Sequence, residues 1–426
     1  MSHQIRTLTN SKSVSTLEKW FRQQLFRKLE SLHVGQLTIH DWEGSQSFQG
    51  SMEGPSAVIQ VTDPTFYTSI SLRGSLGAAE SYMAGLWHAD SLVKVVRILV
   101  LNQDLLQGFE GGLASVQKIA GAVYHFARQN SIKGSKRNIA AHYDLSNEMF
   151  ELFLDKSMMY SCAYYEKHDS SLEEAQFAKL DLICRKLNLN RNDHVIEIGA
   201  GWGGFAIHAA KRYGCRITTT TISEEQYTFA RARIVAEGLE GQIKLLREDY
   251  RHLEGKFSKL VSIEMIEAVG HQYLDDYMAK CASLLKQNGC GLIQAITIND
   301  QFYARALKEV DFIKKYIFPG SFIPSISAIL ESAKKRSDLR LYNLEDLTPH
   351  YARTLSDWRQ RFLENSGKLR SMGFDERFIK MWDYYFCYCI GGFEERSIGN
   401  CHLIFGKPDY RRDLTQHIEW KKGEQS

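Results

Sequence analysis

Residues 196–204, which read IEIGAGWGG, have residue types and spacing that suit a nucleotide-containing cofactor. An apolar run typical of a strand ends at Ile198, and a helical pattern begins near Phe205. Gly199, Gly201 and Gly204 satisfy the pattern Gly-x-Gly-x-x-Gly. Glycine is needed where the backbone turns tightly and a ligand approaches closely, and the amides at the start of the following helix then face that ligand.

The pattern alone fits either a dinucleotide or S-adenosylmethionine. A dinucleotide site calls for an acidic residue about 20 positions later, at the end of the second strand. That strand ends in TTTIS (219–223), and Glu224 comes only at the start of the next helix. Glu197, directly before the first glycine, suits the amino acid part of S-adenosylmethionine. We favour S-adenosylmethionine over a dinucleotide, and a glycine turn without a ligand is the remaining alternative.

A second stretch, SMMYSCAYYE at 157–166, places Cys162 among tyrosines and methionines. A nucleophile, a metal ligand or a small residue in an aromatic wall are the three options. No cysteine or histidine stands nearby at metal-ligand spacing, so we expect no metal site. Methyl transfer from a sulfonium requires no covalent enzyme intermediate. The sequence therefore favours the third option, in which Cys162 is a small residue in an aromatic wall.

The elements that must position these residues alternate between strand and helix from about residue 190. This alternation predicts a parallel sheet covered by helices on both faces. The predicted strands lie in DHVIEIG, CRITTTTIS, QIKLLRED, FSKLVSIEMI and CGLIQAITI, and the predicted helices in GFAIHAAKRYG, EEQYTFARARIVAEG and HQYLDDYMAKCASLLKQNG.

The chain ahead of this region mixes helical and strand patterns and lacks catalytic spacing. We predict an N-terminal α+β domain over 1–110, a Gly-, Ser- and Lys-containing linker over 111–137, and a catalytic domain over 138–426. The helical aromatic stretch MWDYYFCY at 381–388 is interpreted mainly as core packing, with one or two residues reaching a substrate.

Composition restricts the class of protein. With 426 residues, 44% hydrophobic residues and a net charge of +3, the chain is typical of a globular protein, and its charge does not favour nucleic acid as a partner. We expect no secretory signal and no membrane span. The eight cysteines are scattered and form no Cys-x-x-Cys, which indicates reduced thiols and a cytoplasmic protein.

Several separate motifs, in order, resemble the cyclopropane fatty acid synthases, from about residue 75 to the C-terminus. They are GSLGAAESYMAGLW, HYDLSNEMFELFLDKSMMYSCAYY, GAGWGGFA, TISEEQ, EMIEAVGHQY, YIFPGSFIPS and HYARTLSDWRQRF. Members of this family methylate double bonds of phospholipid acyl chains with S-adenosylmethionine. The resemblance implies a class I methyltransferase fold, with a Rossmann-like seven-stranded sheet and helices on both faces.

The resemblance also implies roles for individual residues. Besides Glu197, which was inferred from its position, those implied to contact the cofactor are Tyr160, Ser161, Gly199, Gly201, Gly203, Thr221, Gln226, Asp249 and Tyr250. Those implied to hold a bicarbonate ion, the catalytic base of the family, are Cys162, Glu267, Ile296 and Tyr351. Gln294 lies in the same site where some relatives have histidine, and glutamine offers a donor and an acceptor but no titratable proton.

Judged without the resemblance, Glu267 is equally well interpreted as a carboxylate favoured at a helix N-terminus. The chemistry implied by the resemblance is methyl transfer to an alkene, then loss of a proton from the new methyl group as the ring closes. Tyr160, Tyr164, Tyr165, Tyr316 and Phe318 could stabilise the intermediate cation with their ring faces.

We therefore expect cyclopropane formation on unsaturated phospholipids of a bilayer. The expected assembly is a homodimer that binds peripherally to the inner face of the cell membrane, with the N-terminal domain docking on lipid. The alternatives are a methylene- or methyl-branched product, a small-molecule methyltransferase, and a lipid-binding protein with an inactive methyltransferase fold.

Overall fold

The computed structural model describes residues 14–104 and 146–411. They group into two compact units, one of residues 14–104 with 370–395 and one of residues 146–369 with 396–411. The predicted linker, 111–137, lies outside the described residues. The predicted catalytic domain ran without interruption to 426, whereas the structure groups 370–395 with the N-terminal residues.

The first unit is a four-stranded sheet with helices. Its strands are β1 (Val34–Asp41), β2 (Gly44–Gln49), β3 (Met52–Val61) and β4 (Trp87–Ala89), in the order β2-β1-β3-β4. Strand β3 is parallel to β1, and the other two pairings are antiparallel. Its first three helices are α1 (Thr16–Leu29), α2 (Thr65–Met83) and α3 (Leu92–Leu101).

A late helix completes this unit. The chain returns to it with the helix Glu376–Glu394, which packs against α2 and α3. Asp383 accepts a hydrogen bond from the Tyr82 hydroxyl at 2.6 Å, and Glu395 pairs with Arg97 at 2.5 Å. Most of the aromatic stretch at 381–388 is buried, as the core-packing interpretation predicted.

The second unit contains a seven-stranded sheet. Its strands are β5 (His194–Ile198), β6 (Arg216–Thr220), β7 (Ile243–Leu246), β8 (Phe257–Ile263), β9 (Leu285–Ile298), β10 (Arg340–Asp346) and β11 (Ile398–Gly406), in the order β10-β11-β9-β8-β5-β6-β7. Strands β5 to β9 pair in parallel, and β11 is antiparallel to both of its neighbours. The predicted parallel sheet is thus confirmed, with one reversed strand.

Helices connect these strands, and two apolar clusters pack with the sheet. The helices of this part of the chain, numbered on from α3, are α4 (Asn147–Glu151), α5 (Leu172–Lys186), α6 (Gly204–Tyr213), α7 (Glu224–Ala236), α8 (Leu274–Leu284), α9 (Asp300–Ala306), α10 (Ile326–Arg336), α11 (Thr348–Glu364) and α12 (Ser366–Ser371), followed by the late helix α13 (Glu376–Glu394). Single turns of tighter helix lie at Tyr250–His252, Ile266–Ala268 and His271–Tyr273, and a π turn at Ile313–Ile317.

Two predicted elements end earlier than their patterns indicated. The strand FSKLVSIEMI stops at Ile263, because Glu264 has a left-handed backbone with a φ of 49°. The helix HQYLDDYMAKCASLLKQNG stops at Leu284, because Leu285 pairs with Phe257 in the sheet. Among the described residues, no helix is both long enough and apolar enough to cross a membrane.

Candidate functional site

The predicted site residues of the sheet follow the carboxyl ends of adjacent parallel strands. This edge of an open α/β sheet is where ligands bind. Glu197 and the glycine loop end β5, Thr221 follows β6, Asp249 follows β7, and Glu267 follows β8.

The glycine loop has the backbone that a close ligand approach requires. Gly199, Gly201 and Gly203 have φ values of 95°, 51° and 85°, a region that disfavours side chains. A Cβ on Gly201 would meet no atom within 4 Å, so the loop has open space there. Gly203 caps the N-terminus of α6, and the amides of that helix follow. This geometry fits a cofactor held by backbone amides.

Glu197 lies beneath the loop, with an exposed fraction of 2%. It accepts a hydrogen bond from the Thr219 hydroxyl at 2.5 Å. Burial raises the pKa of Glu197 to about 8, so the carboxyl holds its proton at neutral pH. A cationic ammonium group of a ligand would favour the ionised form and bind it.

The remaining cofactor candidates lie at the ends of the next two strands. The Thr221 hydroxyl donates to Gln226 Oε1 at 2.8 Å, so these two side chains form one polar edge. Asp249 is already engaged, because Arg251 donates to both of its carboxylate oxygens at 2.8 Å. Within the described part of the chain, the buried Tyr250 hydroxyl has no hydrogen-bond partner, which leaves it available to a ligand.

The segment 159–162 is held against this edge by α5. Gln176 donates to the backbone oxygen of Ser161 at 2.9 Å, and Lys179 donates to its hydroxyl at 2.7 Å. Lys179 is fully buried, which lowers its pKa to about 8, while Glu264 and other acidic groups act in the opposite direction. A positive charge is thus fixed behind Ser161.

Glu264 is the centre of the predicted anion site. Its Oε1 accepts hydrogen bonds from the Cys162 amide at 2.9 Å, the Gln294 amide at 2.9 Å and the Asn400 amide at 2.7 Å. Its Oε2 accepts one from the Tyr351 hydroxyl at 2.6 Å. Cys162, Gln294 and Tyr351 were expected around a bicarbonate ion. In the structure they donate hydrogen bonds to the Glu264 carboxylate instead.

The residues named for bicarbonate do not fit a second anion. The amide of Ile296, another of them, donates to Glu267 Oε1 at 2.5 Å. Bicarbonate would thus compete with Glu264 and Glu267 for the Cys162, Tyr351 and Ile296 donors, and it would meet a negative charge already in place.

Gln294 is oriented by a polar chain behind the site. His402 Nδ1 lies 2.8 Å from the Lys186 ammonium, so it accepts from that group and its proton is on Nε2. His402 Nε2 then donates to Gln294 Oε1 at 2.9 Å, which directs the Gln294 amide hydrogens towards Glu264. Burial holds the pKa of His402 well below its usual value, and the imidazole is neutral.

Aromatic rings stand beside the segment that carries Cys162. The ring centroid of Tyr160 lies 5.2 Å from that of Trp358, 5.4 Å from Phe150 and 6.2 Å from Phe318. Tyr164, by contrast, packs on His350. Tyr165 donates to Asp357, and Tyr316 packs on Phe312.

Cys162 belongs to this wall. Its thiol lies near the backbone oxygen of Ala163 at 3.2 Å, and its side chain is fully buried. Burial raises the pKa of the thiol well above its usual value, so it is not a thiolate nucleophile at neutral pH.

Four polar residues of the site were missed from the sequence: Glu264, Lys179, Asn400 and His402. Asn400 and His402 alternate within the apolar strand β11, and their register places them opposite Ile296 and Gln294. Polar residues two apart in a buried strand share one face, and this signal could have identified them.

Comparisons with known proteins identify the family of the chain. The family model "Mycolic acid cyclopropane synthetase" matches residues 130–403. Tuberculostearic acid methyltransferase UfaA1 of Mycobacterium tuberculosis is 36% identical over 82% of this chain and 83% of its own length. Cyclopropane-fatty-acyl-phospholipid synthase of Escherichia coli is also 36% identical, over 82% of this chain and 88% of its own.

Among solved structures, mycolic acid cyclopropane synthase CmaA1 complexed with SAH and CTAB is 30% identical, with a TM-score of 0.60, and covers 64% of this chain and 98% of that one. The chain is an S-adenosylmethionine-dependent methyltransferase, and it belongs to the mycolic acid cyclopropane synthetase family.

Proposed function

We propose that the protein transfers a methylene group from S-adenosylmethionine to the double bond of unsaturated acyl chains in membrane phospholipids, giving cyclopropane fatty acids. One observation carries the proposal: the segment 159–162 lies between an aromatic wall and the Glu264 carboxylate, which accepts four hydrogen bonds. Such a site suits a reaction that passes through a cation and ends with the loss of a proton. The name of the Escherichia coli relative supports the phospholipid substrate.

The aromatic wall and the Glu264 carboxylate act in different steps of this reaction. When bound, S-adenosylmethionine supplies an electrophilic methyl group, and its transfer to one alkene carbon leaves a cation on the other. Tyr160, Phe318 and Trp358 exclude water, which would trap the cation, and their ring faces stabilise positive charge by about 2 kcal/mol when desolvated.

The N-terminal unit provides a surface for a bilayer. Leu17 and Trp20 of α1 are 56% and 51% exposed and lie three residues apart, on the same side of the helix. Met52 is 57% exposed in the same unit. Exposed apolar and tryptophan side chains favour the interface between headgroups and acyl chains. The double variant Leu17→Ser/Trp20→Ser should sediment less with anionic phospholipid vesicles, and unchanged sedimentation would contradict this surface.

A branched product is the second candidate. The relative named tuberculostearic acid methyltransferase is as similar to the chain as the cyclopropane synthase, at 36% identity. If a hydride moves to the cationic carbon before the methyl group loses its proton, the product is a methylene branch instead of a ring. The first step and the added mass are the same in both cases.

Incubation with S-adenosylmethionine and unsaturated phospholipid vesicles, followed by proton NMR of the lipid, tests the proposal. Ring protons at high field are expected for cyclopropane, and vinylic protons alone would establish the branched product instead. Vesicles of fully saturated phospholipid are the matched control and should give no product. Turnover of small amines or phenols without any lipid product would favour a small-molecule methyltransferase. The homodimer stays a prediction, which sedimentation equilibrium checks.

A further inference from the structure

We propose that the Glu264 carboxylate is itself the base that removes the proton from the newly transferred methyl group, so that the reaction needs no bicarbonate. The inference rests on the proposed function, because this proton arises only after an alkene has been methylated. It also names the atom that acts, Glu264 Oε2.

The hydrogen bonds of Glu264 favour the ionised form of its carboxyl group. The groups that contact its oxygens are all donors: the Cys162 and Gln294 amides, the Asn400 amide and the Tyr351 hydroxyl. Hydrogen bonds donated to a carboxyl group stabilise its charged form. Burial raises the pKa of Glu264, but the Tyr351, Cys162 and Gln294 hydrogen bonds and the charge of Lys179 act in the opposite direction.

The two oxygens of Glu264 are not equivalent. Oε1 has three donors, which leaves no lone pair for another proton, whereas Oε2 has the Tyr351 hydroxyl alone among the hydrogen bonds described. Glu264 as a whole residue is half-buried. Oε2 therefore has a lone pair that can accept the proton.

Glu267 differs from Glu264 in both its hydrogen bonds and its protonation. Its Oε1 accepts a hydrogen bond from the Ile296 amide, while its buried Oε2 has no hydrogen-bond partner among the residues that the structure describes. Burial and then the charge of Glu264 raise its pKa to about 8, so it holds a proton at neutral pH. Two carboxyl groups whose environments separate their pKa values commonly divide the acid and base roles. Glu264 is the base of this pair, and Glu267 is the neutral neighbour.

The backbone shows that position 264 is unusual for glutamate. Its φ of 49° lies in the left-handed region, which costs a side-chain-bearing residue about 1–2 kcal/mol. Glycine would adopt this conformation without that cost. The four hydrogen bonds of the carboxylate hold glutamate there, and replacement by glycine would open an anion-sized space lined by the same donors.

The proton transfer balances without another reactant. Methyl transfer has already broken the sulfur–carbon bond and formed a carbon–carbon bond from the alkene electron pair. Glu264 Oε2 then forms a bond to one proton of the new methyl group. The electrons of that carbon–hydrogen bond close the ring on the cationic carbon. Glu264 becomes a carboxylic acid and releases its proton to solvent before the next turnover.

The test compares wild type, Glu264→Gly and Glu264→Gln in buffer purged of carbon dioxide and then supplemented with millimolar bicarbonate. Wild-type turnover on unsaturated vesicles should be the same in both buffers. Glu264→Gly should lose about 100-fold or more in purged buffer, the usual value of a general base. Added bicarbonate should raise the turnover of Glu264→Gly about tenfold or more. It enters the space left by the side chain and acts there as the general base.

Glu264→Gln is the matched control, because its amide fills the same space without accepting the proton. It should be as slow as the glycine variant and should not respond to bicarbonate. ¹³C NMR of labelled bicarbonate should show binding to Glu264→Gly and not to wild type. Calorimetry with S-adenosylhomocysteine verifies that each variant still folds and binds the cofactor product.

Two results would overturn the inference alone: wild-type turnover that stops in purged buffer and returns with bicarbonate, or near-wild-type turnover of Glu264→Gln. A wild-type protein that makes no lipid product in bicarbonate-containing buffer would instead refute the proposed function, and this inference with it. The two failures are therefore distinguished by the wild-type product.

Discussion

Replacing Glu267 by glutamine should stabilise the protein in a manner that depends on pH. The Glu267 carboxyl has a pKa raised from 4.5 to about 8, with burial as the main cause and the Glu264 charge second. A group whose pKa is raised by folding contributes full stability below its unfolded pKa, and this contribution is lost as the pH rises through the folded value. Glutamine resembles the protonated acid and does not ionise, so the variant does not lose this contribution to stability as the pH rises.

The magnitude follows from the two pKa values. At about 1.4 kcal/mol per pH unit, the wild-type protein loses roughly 1 kcal/mol by about pH 5.5, about 3 kcal/mol by pH 7 and about 5 kcal/mol by pH 9. The difference in the free energy of unfolding between Glu267→Gln and wild type should thus widen by about 2 kcal/mol between pH 5.5 and pH 7. The Ile296 amide can still donate to the glutamine oxygen, so the local geometry is preserved.

Thermal unfolding of both proteins across this pH range measures the difference in the free energy of unfolding. An effect of the substitution that does not depend on pH changes this difference equally at every pH, so it does not alter the widening. The exposed Glu240→Gln is the matched control, whose difference from wild type should stay constant. A Glu267→Gln difference that also stays constant would refute the reasoning, because it would mean that Glu267 is ionised in the folded protein at neutral pH.

Three further predictions concern the site and the N-terminal unit. Cys162→Ser should keep substantial turnover, because the Cys162 amide and not the thiol contacts Glu264; complete inactivity with intact cofactor binding would restore a nucleophile. Tyr351→Phe should lower turnover about tenfold, the cost of one hydrogen bond to a charged group, and should move the acid limb of the pH–rate profile upwards, because this hydrogen bond lowers the pKa of Glu264. An unchanged acid limb would argue against Glu264 as the base. Gly391→Ala should cost about 1–3 kcal/mol of unfolding free energy, since the added Cβ would lie 2.6 Å from Val96; an unchanged melting temperature would contradict this packing.

The strand–helix alternation predicted the sheet, because each element repeats a local pattern that burial on a parallel sheet imposes. Element ends were less predictable. Leu285 continues a helical spacing in the sequence, yet its backbone pairs with Phe257, a residue 28 positions earlier in the chain. Such long-range pairing overrides local preference and leaves no local signal.

The resemblance implied bicarbonate as the occupant of the anion site, whereas the hydrogen bonds place the Glu264 carboxylate between the Cys162 amide and the Tyr351 hydroxyl. Glu264 and Glu267 lie three residues apart, and the sequence alone does not show which carboxyl faces Cys162 and Tyr351. The left-handed backbone at Glu264 decides this, and it occurs at a residue that lacks the glycine signature of that conformation. The hydrogen bonds that sustain it come from β9, β11 and α11, which are distant in the chain.

The discontinuous first unit sets an order for folding during synthesis. The surfaces of α2 and α3 that pack against Glu376–Glu394 emerge from the ribosome hundreds of residues before that helix does. Val96 and its neighbours stay uncovered by this helix until residues 376–394 have been synthesised, after most but not all of the seven-stranded sheet. A chain interrupted before residue 376 therefore lacks part of the first unit, although it contains every residue of 14–104.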